Sequence, residues 1–390
     1  MNFSTLAIIT VAHSRLDALK RLLASIENSN VPESLDVTLV ISVDGDPSEE
    51  VCSFAENYQS QKFATKKVIR TQNLGLREHI LACGDMSESY DGVIVLEDDI
   101  VVADSFLYFA ASAIDHSLNQ ENIAGISLYS YEWNELAAMP FQALRDGSDA
   151  YLMQVVSSWG QAWTRNQWRA FRSWYSLNMV LSPSQNLSLP KVIADWPESS
   201  WKKYFSAYII ERDLYFLYPF DSYSTNFSDS GGVHRSETSL LQVAMKAPND
   251  KKLNFNFVQD FNNSIRYDAY MEPDSDKFEL VVEGKKITPI IDFTGAKNLS
   301  LYDEDAFILT TTQPTESIKS FSICMKPIEL NIMFKSHRNS MDYIYLTHVK
   351  FVDRKRRLSV RARLLMHMYG DYMSSFRVII ELILSRILKR

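Results

Sequence analysis

The sequence predicts an α/β protein built on a Rossmann-like, mostly parallel sheet with flanking helices. A smaller β-rich region and a basic, amphipathic C-terminal helix are expected to follow. Three observations predict this. Runs of β-branched and other apolar residues alternate with segments whose apolar residues recur at helical spacing, the pattern of strands joined by crossover helices. Polar and acidic residues close the apolar runs, at the strand ends where such sheets bind ligands. The last forty residues concentrate positive charge.

TLAIITVA (5–12) reads as the first strand. Over 15–28, Leu16, Leu19, Leu22, Leu23 and Ile26 fall on one helical face, and Ser14 is a reasonable N-cap. DVTLVISVDG is a buried strand ending at Asp44 and Gly45. SEEVCSFAENYQSQ is helical, KKVIRT a third strand, LREHILACGDMSE a helix and GVIVLEDD a fourth strand. DSFLYFAASAIDHS is helical and IAGISLYS a further strand. An aromatic cluster runs from Tyr151 to Tyr175, WKKYFSAYIIERD is helical, and a loop holds Gly231, Gly232 and His234. Beyond residue 250, FNFVQDF, KFELVVEGKKITPIIDF, AFILTTT and SIKSFSICMKPIELNIMF show strand-like alternation, with turn signals at PDSD, EGKK and YDED. The expected domains are 1–245, a β-rich region at 250–345 and a basic helical tail at 346–390.

At 46% apolar and 23% charged, the chain has the composition of an ordinary soluble globular protein, with length for a large core. Three well-separated cysteines without a CxxC spacing give no disulfide framework or zinc site and favour a reducing compartment. No secretory signal and no run of about 18 apolar residues is read, so a cytoplasmic protein is expected. Net charge is −8 overall. Residues 350–390 carry eleven basic and three acidic residues, net +8, which leaves −16 for the remainder.

VIVLEDDIVV (93–102) carries the sharpest signal. A buried strand runs into Glu97, Asp98 and Asp99 and then turns apolar again. Adjacent carboxylates repel and raise one another's pKa unless a cation joins them. Such a cluster suits Mn²⁺ or Mg²⁺, which prefers oxygen and leaves coordination sites for phosphate. A solvated turn is the plainer reading. His13 and Arg15, Asp44, Asn73 and Gly75 also sit at strand ends, which favours a ligand crevice.

TVAHSRLDALKRLLASI, LVISVDGD, NLGLREHIL and DGVIVLEDDIVVADSFLYF, followed by SSWGQAWTRNQW, WPESSW and NFSDSGGVH, resemble GT-A glycosyltransferases over roughly residues 4–236. The likeness is to family 2-type bacterial enzymes and the N-acetylglucosaminyltransferase I-like group. The resemblance implies a GT-A fold with 1–130 binding the nucleotide-diphosphate sugar and 131–245 on the acceptor side. It implies that Asp99 coordinates Mn²⁺ or Mg²⁺ and that His234 completes the metal site. Glu97 and Asp98 would face the ribose or donor sugar, Asp44 the nucleoside base, and Arg15 and Arg77 the diphosphate or base. His13 and Asn73 join them as nucleotide-sugar-binding candidates. Trp159 and Trp163 are candidates for stacking on an acceptor, against core packing as the alternative.

The resemblance falters at one place. Where that group carries an acidic pair after the second tryptophan of WPxxxW, this chain has Lys202 and Lys203. A lysine of ordinary pKa is a poor base at neutral pH. Glu198, Asp195 or Glu211 could serve instead, the reaction could be retaining, or the chain could bind without turnover. A nucleotidyltransferase is a further alternative, though no glycine-rich loop follows the first strand.

In the tail, FRVIIELILSRILKR places Phe376, Ile379, Ile380, Ile383, Leu384 and Ile387 on one face, with RKRRLSVRAR upstream. A basic segment with an amphipathic helix suits peripheral contact with an anionic inner membrane face. Packing on the protein's own core is the alternative. Nothing in the run reads as a nucleic-acid module. A glycan or glycolipid acceptor in cell-surface polysaccharide synthesis follows as the expectation.

Overall fold

A computed structural model describes residues 3–137, 139–178, 189–229, 241–247, 254–337 and 343–353, with 376–377, 379–381 and 384 near the C-terminus. Contacts divide the chain into two units. The first comprises Met1–Tyr131 and Arg145–Ala269, the second Glu132–Leu144 and the chain from Tyr270 onward.

The first unit opens with β1 (Thr5–Ala12), α1 (Leu16–Glu27), β2 (Asp36–Val43), α2 (Glu49–Asn57), β3 (Ala64–Ile69), α3 (Gly75–Asp85) and β4 (Gly92–Glu97). These strands are Val/Ile-rich, and β1, β2 and β4 are buried almost end to end, as a sheet covered on both faces requires. β4 ends two residues before the sequence reading: Asp98 and Asp99 turn the chain into β5 (Ile100–Val102). Then come α4 (Phe106–Ser117) and β6 (Ile123–Ser127). The short hairpin of β7 (Trp133–Asn134) and β8 (Met139–Pro140) belongs to the second unit. The first unit resumes with β9 (Ala150–Met153), β10 (Gln161–Thr164), α5 (Arg165–Asn178), α6 (Lys191–Ala194), α7 (Trp201–Glu211), β11 (Tyr215–Pro219), β12 (Ser224–Asn226) and β13 (Arg266–Tyr267).

Nine strands form one sheet in the order β13-β9-β11-β6-β10-β4-β1-β2-β3. β3, β2, β1 and β4 run parallel; β10 is antiparallel between β4 and β6; β11 is parallel to β6, and β9 is antiparallel to β11. The expected mixed, mostly parallel sheet with flanking helices is present. The short strands β9, β10 and β11 carry no period-2 signal because they are buried on both faces. FNFVQDF departs from the expectation of a strand in the β-rich region. Phe255 and Phe257 pack edge-on against Phe109 of α4, and the chain beyond adds β13 to the first unit's sheet.

The second unit contains the hairpin β14 (Leu280–Val282) and β15 (Lys285–Ile287), and the strands β16 (Ile290–Asp292), β17 (Phe307–Thr310), β18 (Lys319–Ser322) and β19 (Tyr343–His348), with α8 (Leu330–Met333). The last four strands pair in the order β16-β17-β19-β18 around Phe321, Leu309, Ile344 and Leu346. The expected turn at EGKK is real: Glu283 and Gly284 both take positive φ, as a two-residue hairpin demands. In the tail, Phe376, Ile379, Ile380 and Leu384 are helical and exposed; Ile383 and Ile387 lie outside the described residues. Among the described residues, no helix is long and apolar enough to cross a membrane.

The junction of α3 with α5 depends on a missing side chain. A Cβ at Gly84 would lie 2.1 Å from the Trp168 ring, whose Nε1 donates to Asp85 Oδ1 at 2.7 Å. Gly84→Ala is therefore expected to destabilise the protein by about 1–3 kcal/mol, read as a fall in the urea-unfolding midpoint. An unchanged midpoint would show that α3 can shift freely.

Candidate functional site

The carboxyl ends of β1, β2 and β4 meet: Ala12 pairs with Val43, and Val11 with Glu97. Each ladder runs one bond past its strand. Asp98 N–H donates to the Val11 carbonyl at 3.0 Å and Asp44 N–H to the Ala12 carbonyl at 2.9 Å. Strand register, rather than loop conformation, thus sets where these carboxylates emerge.

Arg15, at the start of α1, is brought onto the triplet. Its Nη2 donates to Asp98 Oδ1, and its Nη1 lies 3.6 Å from Asp99 Oδ2. Burial opposes its charge, but Asp98, Asp99 and Glu97 outweigh that and raise its pKa. Burial pushes Asp98 up to about 6, with Arg15 opposing and Asp99 and Asp229 adding. Burial also raises Asp99, against Arg15, and lifts Glu97 well above the carboxylate range, with Asp99 and Asp98 adding and Lys202 and Arg15 opposing. Asp99 Oδ1 is buried and lacks a hydrogen-bond partner among the described residues. A buried oxygen in that state is uncommon, and a cation or a hydrogen-bond donor would satisfy it. Among the described residues, no three His, Cys, Asp or Glu side chains gather as ligands of one metal ion.

Asp229 is a fourth carboxylate, one that the sequence did not single out. β12 pairs with β5, and Phe227 N–H donates to the Asp99 carbonyl at 2.9 Å, which brings the following residues to the triplet. Arg21 of α1 forms an ion pair with Asp229 and lies over the Phe227 ring, 4.1 Å from its centroid. Only the NFSDSGGVH stretch hinted at it. His234, in the same stretch, lies outside the described residues.

Asp44 differs from expectation. Its Oδ1 accepts from the Gly45 and Leu74 N–H groups, both at 2.9 Å, and its Oδ2 from Gly75 N–H at 3.0 Å. Both oxygens hold the N-terminus of α3, and the residue is 4% exposed. Gly45 is obligatory here, since a Cβ would lie 1.9 Å from the Gln72 carbonyl carbon. His13 Nε2 lies 3.2 Å from the Gly45 carbonyl and 3.5 Å from Asn73 Nδ2, placing both candidates beside the same loop. Arg77 is engaged elsewhere: its Nη1 donates to the Glu198 carbonyl at 2.6 Å, and its guanidinium faces Tyr204.

The three candidate bases are not equivalent. Asp195 lies on the surface in an ion pair with Lys191. Glu211 ends α7, about 15 Å from its first turn. Glu198 accepts from Lys203 Nζ and from the Tyr204 hydroxyl, each at 2.6 Å, so both of its oxygens are engaged. Lys203 is 2% exposed and also donates to the Trp196 carbonyl at 2.8 Å. It is a structural cation. Lys202 points differently, with Nζ 5.2 Å from the Trp196 ring centroid, 5.6 Å from that of Trp159 and 3.5 Å from Ser158 Oγ. Trp163 is wholly buried against Trp168, Trp201 and Phe205, so it packs the core and offers no face to an acceptor. Trp159 is 8% exposed and stands edge-on to Tyr129.

No protein-family model and no curated protein matches this sequence. Solved structures share a similar arrangement at low identity. S. aureus TarS residues 1–349 is 12% identical with a TM-score of 0.37, over 56% of this chain and 59% of that one. The mannosyltransferase PcManGT from Pyrobaculum calidifontis, in complex with GDP-Man and Mn²⁺, is 13% identical with a TM-score of 0.36, over 59% of this chain and 58% of that one. GalNAc-T7 with UDP, GalNAc and Mn²⁺ is 12% identical with a TM-score of 0.37, over 56% and 43%. The chain thus matches under two thirds of each, and at these scores the likenesses assign it no substrate or chemistry.

Two outcomes are expected from the Asp44 cluster. Asp44→Ala leaves the Gly45 and Leu74 N–H groups without their acceptor, while Gly75 N–H keeps its second one, Asn73 Oδ1. The substitution should cost about 1–3 kcal/mol in an unfolding titration. His79, whose Nε2 is 2.8 Å from Ser42 Oγ, has its pKa lowered from 6.5 to about 4 by burial, with Asp44 opposing. Its neutral form is the folded one. Its contribution is therefore complete above pH 6.5 and is lost as pH falls toward 4, about 3 kcal/mol in all. Unfolding of wild type and His79→Gln across that window should show a shallower slope in the variant; equal slopes would refute the assignment.

Proposed function

We propose that this chain is a glycosyltransferase, moving a sugar from a nucleotide-diphosphate donor to a glycan or glycolipid acceptor. The observation that carries the reading is an Asp99 oxygen with no hydrogen-bond partner among the described residues, within a carboxylate cluster at the joined ends of β1, β2 and β4. The donor set fits Mn²⁺ or Mg²⁺, since a hard cation takes one or two protein carboxylates and leaves its other sites to phosphate. Asp99 would hold it, with His234 as the proposed second ligand. The bound cation supplies neutralisation of the charge that grows on the departing diphosphate.

The chain's own groups do the rest. Glu97 and Asp98 face the ribose or donor sugar. Arg15 holds the carboxylates apart from one another's repulsion and offers donors to phosphate. Asp44 acts through the loop it caps, which carries Asn73 and faces His13, on the nucleoside side. Arg77 braces that helix against Tyr204. For an inverting transfer the base is Glu198, half-exposed beside Tyr204, whose hydroxyl pKa is pushed up to about 12 by burial and then by Glu198.

A second reading has its own observation. Lys203 and Tyr204 occupy both Glu198 oxygens, which favours a nucleotide-sugar-binding protein without turnover. The exposed Phe376, Ile379, Ile380 and Leu384, with the tail's charge of +8, suit an anionic bilayer and hence an acceptor presented at the inner membrane face in surface polysaccharide synthesis.

Nucleotide release across UDP-, GDP-, CMP- and dTDP-sugars, with and without Mn²⁺, tests the proposal. One donor should give metal-dependent release that Asp99→Ala lowers roughly 10²–10³-fold. No binding of any donor would overturn it. Glu198→Gln should lower kcat about 10²–10⁴-fold if it is the base; an unchanged kcat would remove it from that role, and wild-type binding without turnover would favour the second reading.

A further inference from the structure

Strand register lines up two buried polar side chains with Glu97. Gln161 of β10 is wholly buried, and neither its Oε1 nor its Nε2 has a hydrogen-bond partner among the described residues. Trp163, two residues on, is wholly buried too, and its Nε1 lacks a partner among the same residues. Side chains two apart on a strand share a face. Gln161 lies opposite Val95 of β4, so it shares that face with Glu97, its diagonal neighbour. Such neighbours have Cβ atoms about 7 Å apart, within reach of two long side chains. On its other side Gln161 faces Ser127 of β6, whose Oγ is committed. That oxygen donates to the Tyr129 carbonyl at 2.9 Å and accepts from Tyr129 N–H at 3.1 Å. The Trp163 indole nitrogen sits over Gly125 of β6, where a Cβ would come within 2.8 Å of it.

The polarity of the three groups matches. An indole N–H only donates, a carboxamide both accepts and donates, and an ionised carboxylate only accepts. Trp163 Nε1 can donate to Gln161 Oε1 while Gln161 Nε2 donates to Glu97. Lys202 and Arg15 act on Glu97 through charge, which attracts a carboxylate without fixing its direction. A hydrogen bond does fix it. A buried carboxamide without partners costs stability that an apolar side chain of the same shape would not, so its retention calls for a reason. We infer that Gln161 is a positioning residue: backed by Trp163, it orients the Glu97 carboxylate toward the donor sugar, directly or through one water. Glu97 is partly exposed at the crevice and Gln161 is not, so Gln161 acts through Glu97 without meeting the ligand. The inference deepens the proposed transfer and rests on it for the sugar; the hydrogen-bonded relay itself does not.

The test uses the full chain as wild type, Gln161→Leu, Trp163→Phe and Glu97→Ala, with an unfolding midpoint for each. Affinities for UDP, UDP-N-acetylglucosamine, GDP and GDP-mannose are measured by calorimetry with Mn²⁺. In Gln161→Leu the midpoint should hold or rise, and affinity for bare nucleotide should stay within about twofold. The affinity that the sugar adds over nucleotide alone should fall about tenfold or more, the worth of one hydrogen bond to a charged group. Separately, the Gln161 carboxamide and Trp163 indole N–H signals are assigned by NMR from their loss in Gln161→Leu and Trp163→Phe. The indole signal should move upfield in Gln161→Leu, and the carboxamide signals should move in Glu97→Ala. Signals that stay in place would overturn the inference. So would a sugar increment unchanged in folded Gln161→Leu, an equal loss of bare-nucleotide affinity, or a wild type that binds nucleotide and gains nothing from the sugar. A wild type that binds no nucleotide while both signals respond would remove the transferase reading and leave the relay to Glu97.

Discussion

Three consecutive carboxylates at a buried strand end repel one another, and much of the first unit is arranged around that repulsion. Arg15 reaches them because only three residues separate α1 from β1, the strand that pairs with β4. Arg21, nearly two turns further along α1, takes Asp229. One helix thus supplies cations to carboxylates from two distant parts of the chain. The offset is incomplete: burial still raises all three acids, and one Asp99 oxygen has no partner among the described residues. An incompletely balanced buried cluster of carboxylates favours a cation, because positive charge removes a penalty the folded chain already carries.

The loop around Asp44 shows how one residue can look like a ligand contact and serve the fold. Asp44 ends a buried strand in a crevice-forming position. Its oxygens nevertheless accept three backbone N–H groups and fix the start of α3. The close approach of Gly45 to Gln72 tightens the same loop, so His13 and Asn73 meet on a surface with little freedom.

The other side is organised by α7. Its inner face packs Trp201 and Phe205 on Trp163, making a core that leaves only its first turn near the triplet. There the two adjacent lysines part company. Lys203 is drawn inward to Glu198, and Lys202 outward over indoles. Side-chain direction sends the two ammonium groups to different partners, although neighbours in sequence share the same local charge pattern.

By itself the sequence determined the parallel half of the sheet, the helices between its strands, and the acidic, Arg15, His13 and Asn73 positions at strand ends. Those follow from periodicity and from where apolar runs stop, which are local properties. The tertiary structure alone decided the rest. Short strands buried on both faces, β9 to β11, carry no alternation. Asp229 joins the triplet through a ladder between β5 and β12, residues more than a hundred apart in sequence. The fates of Asp44, Trp163, Lys202 and Lys203 depend on which way each side chain points and what lies opposite. Composition and spacing contain neither, since both arise only when distant strands and helices close on one another.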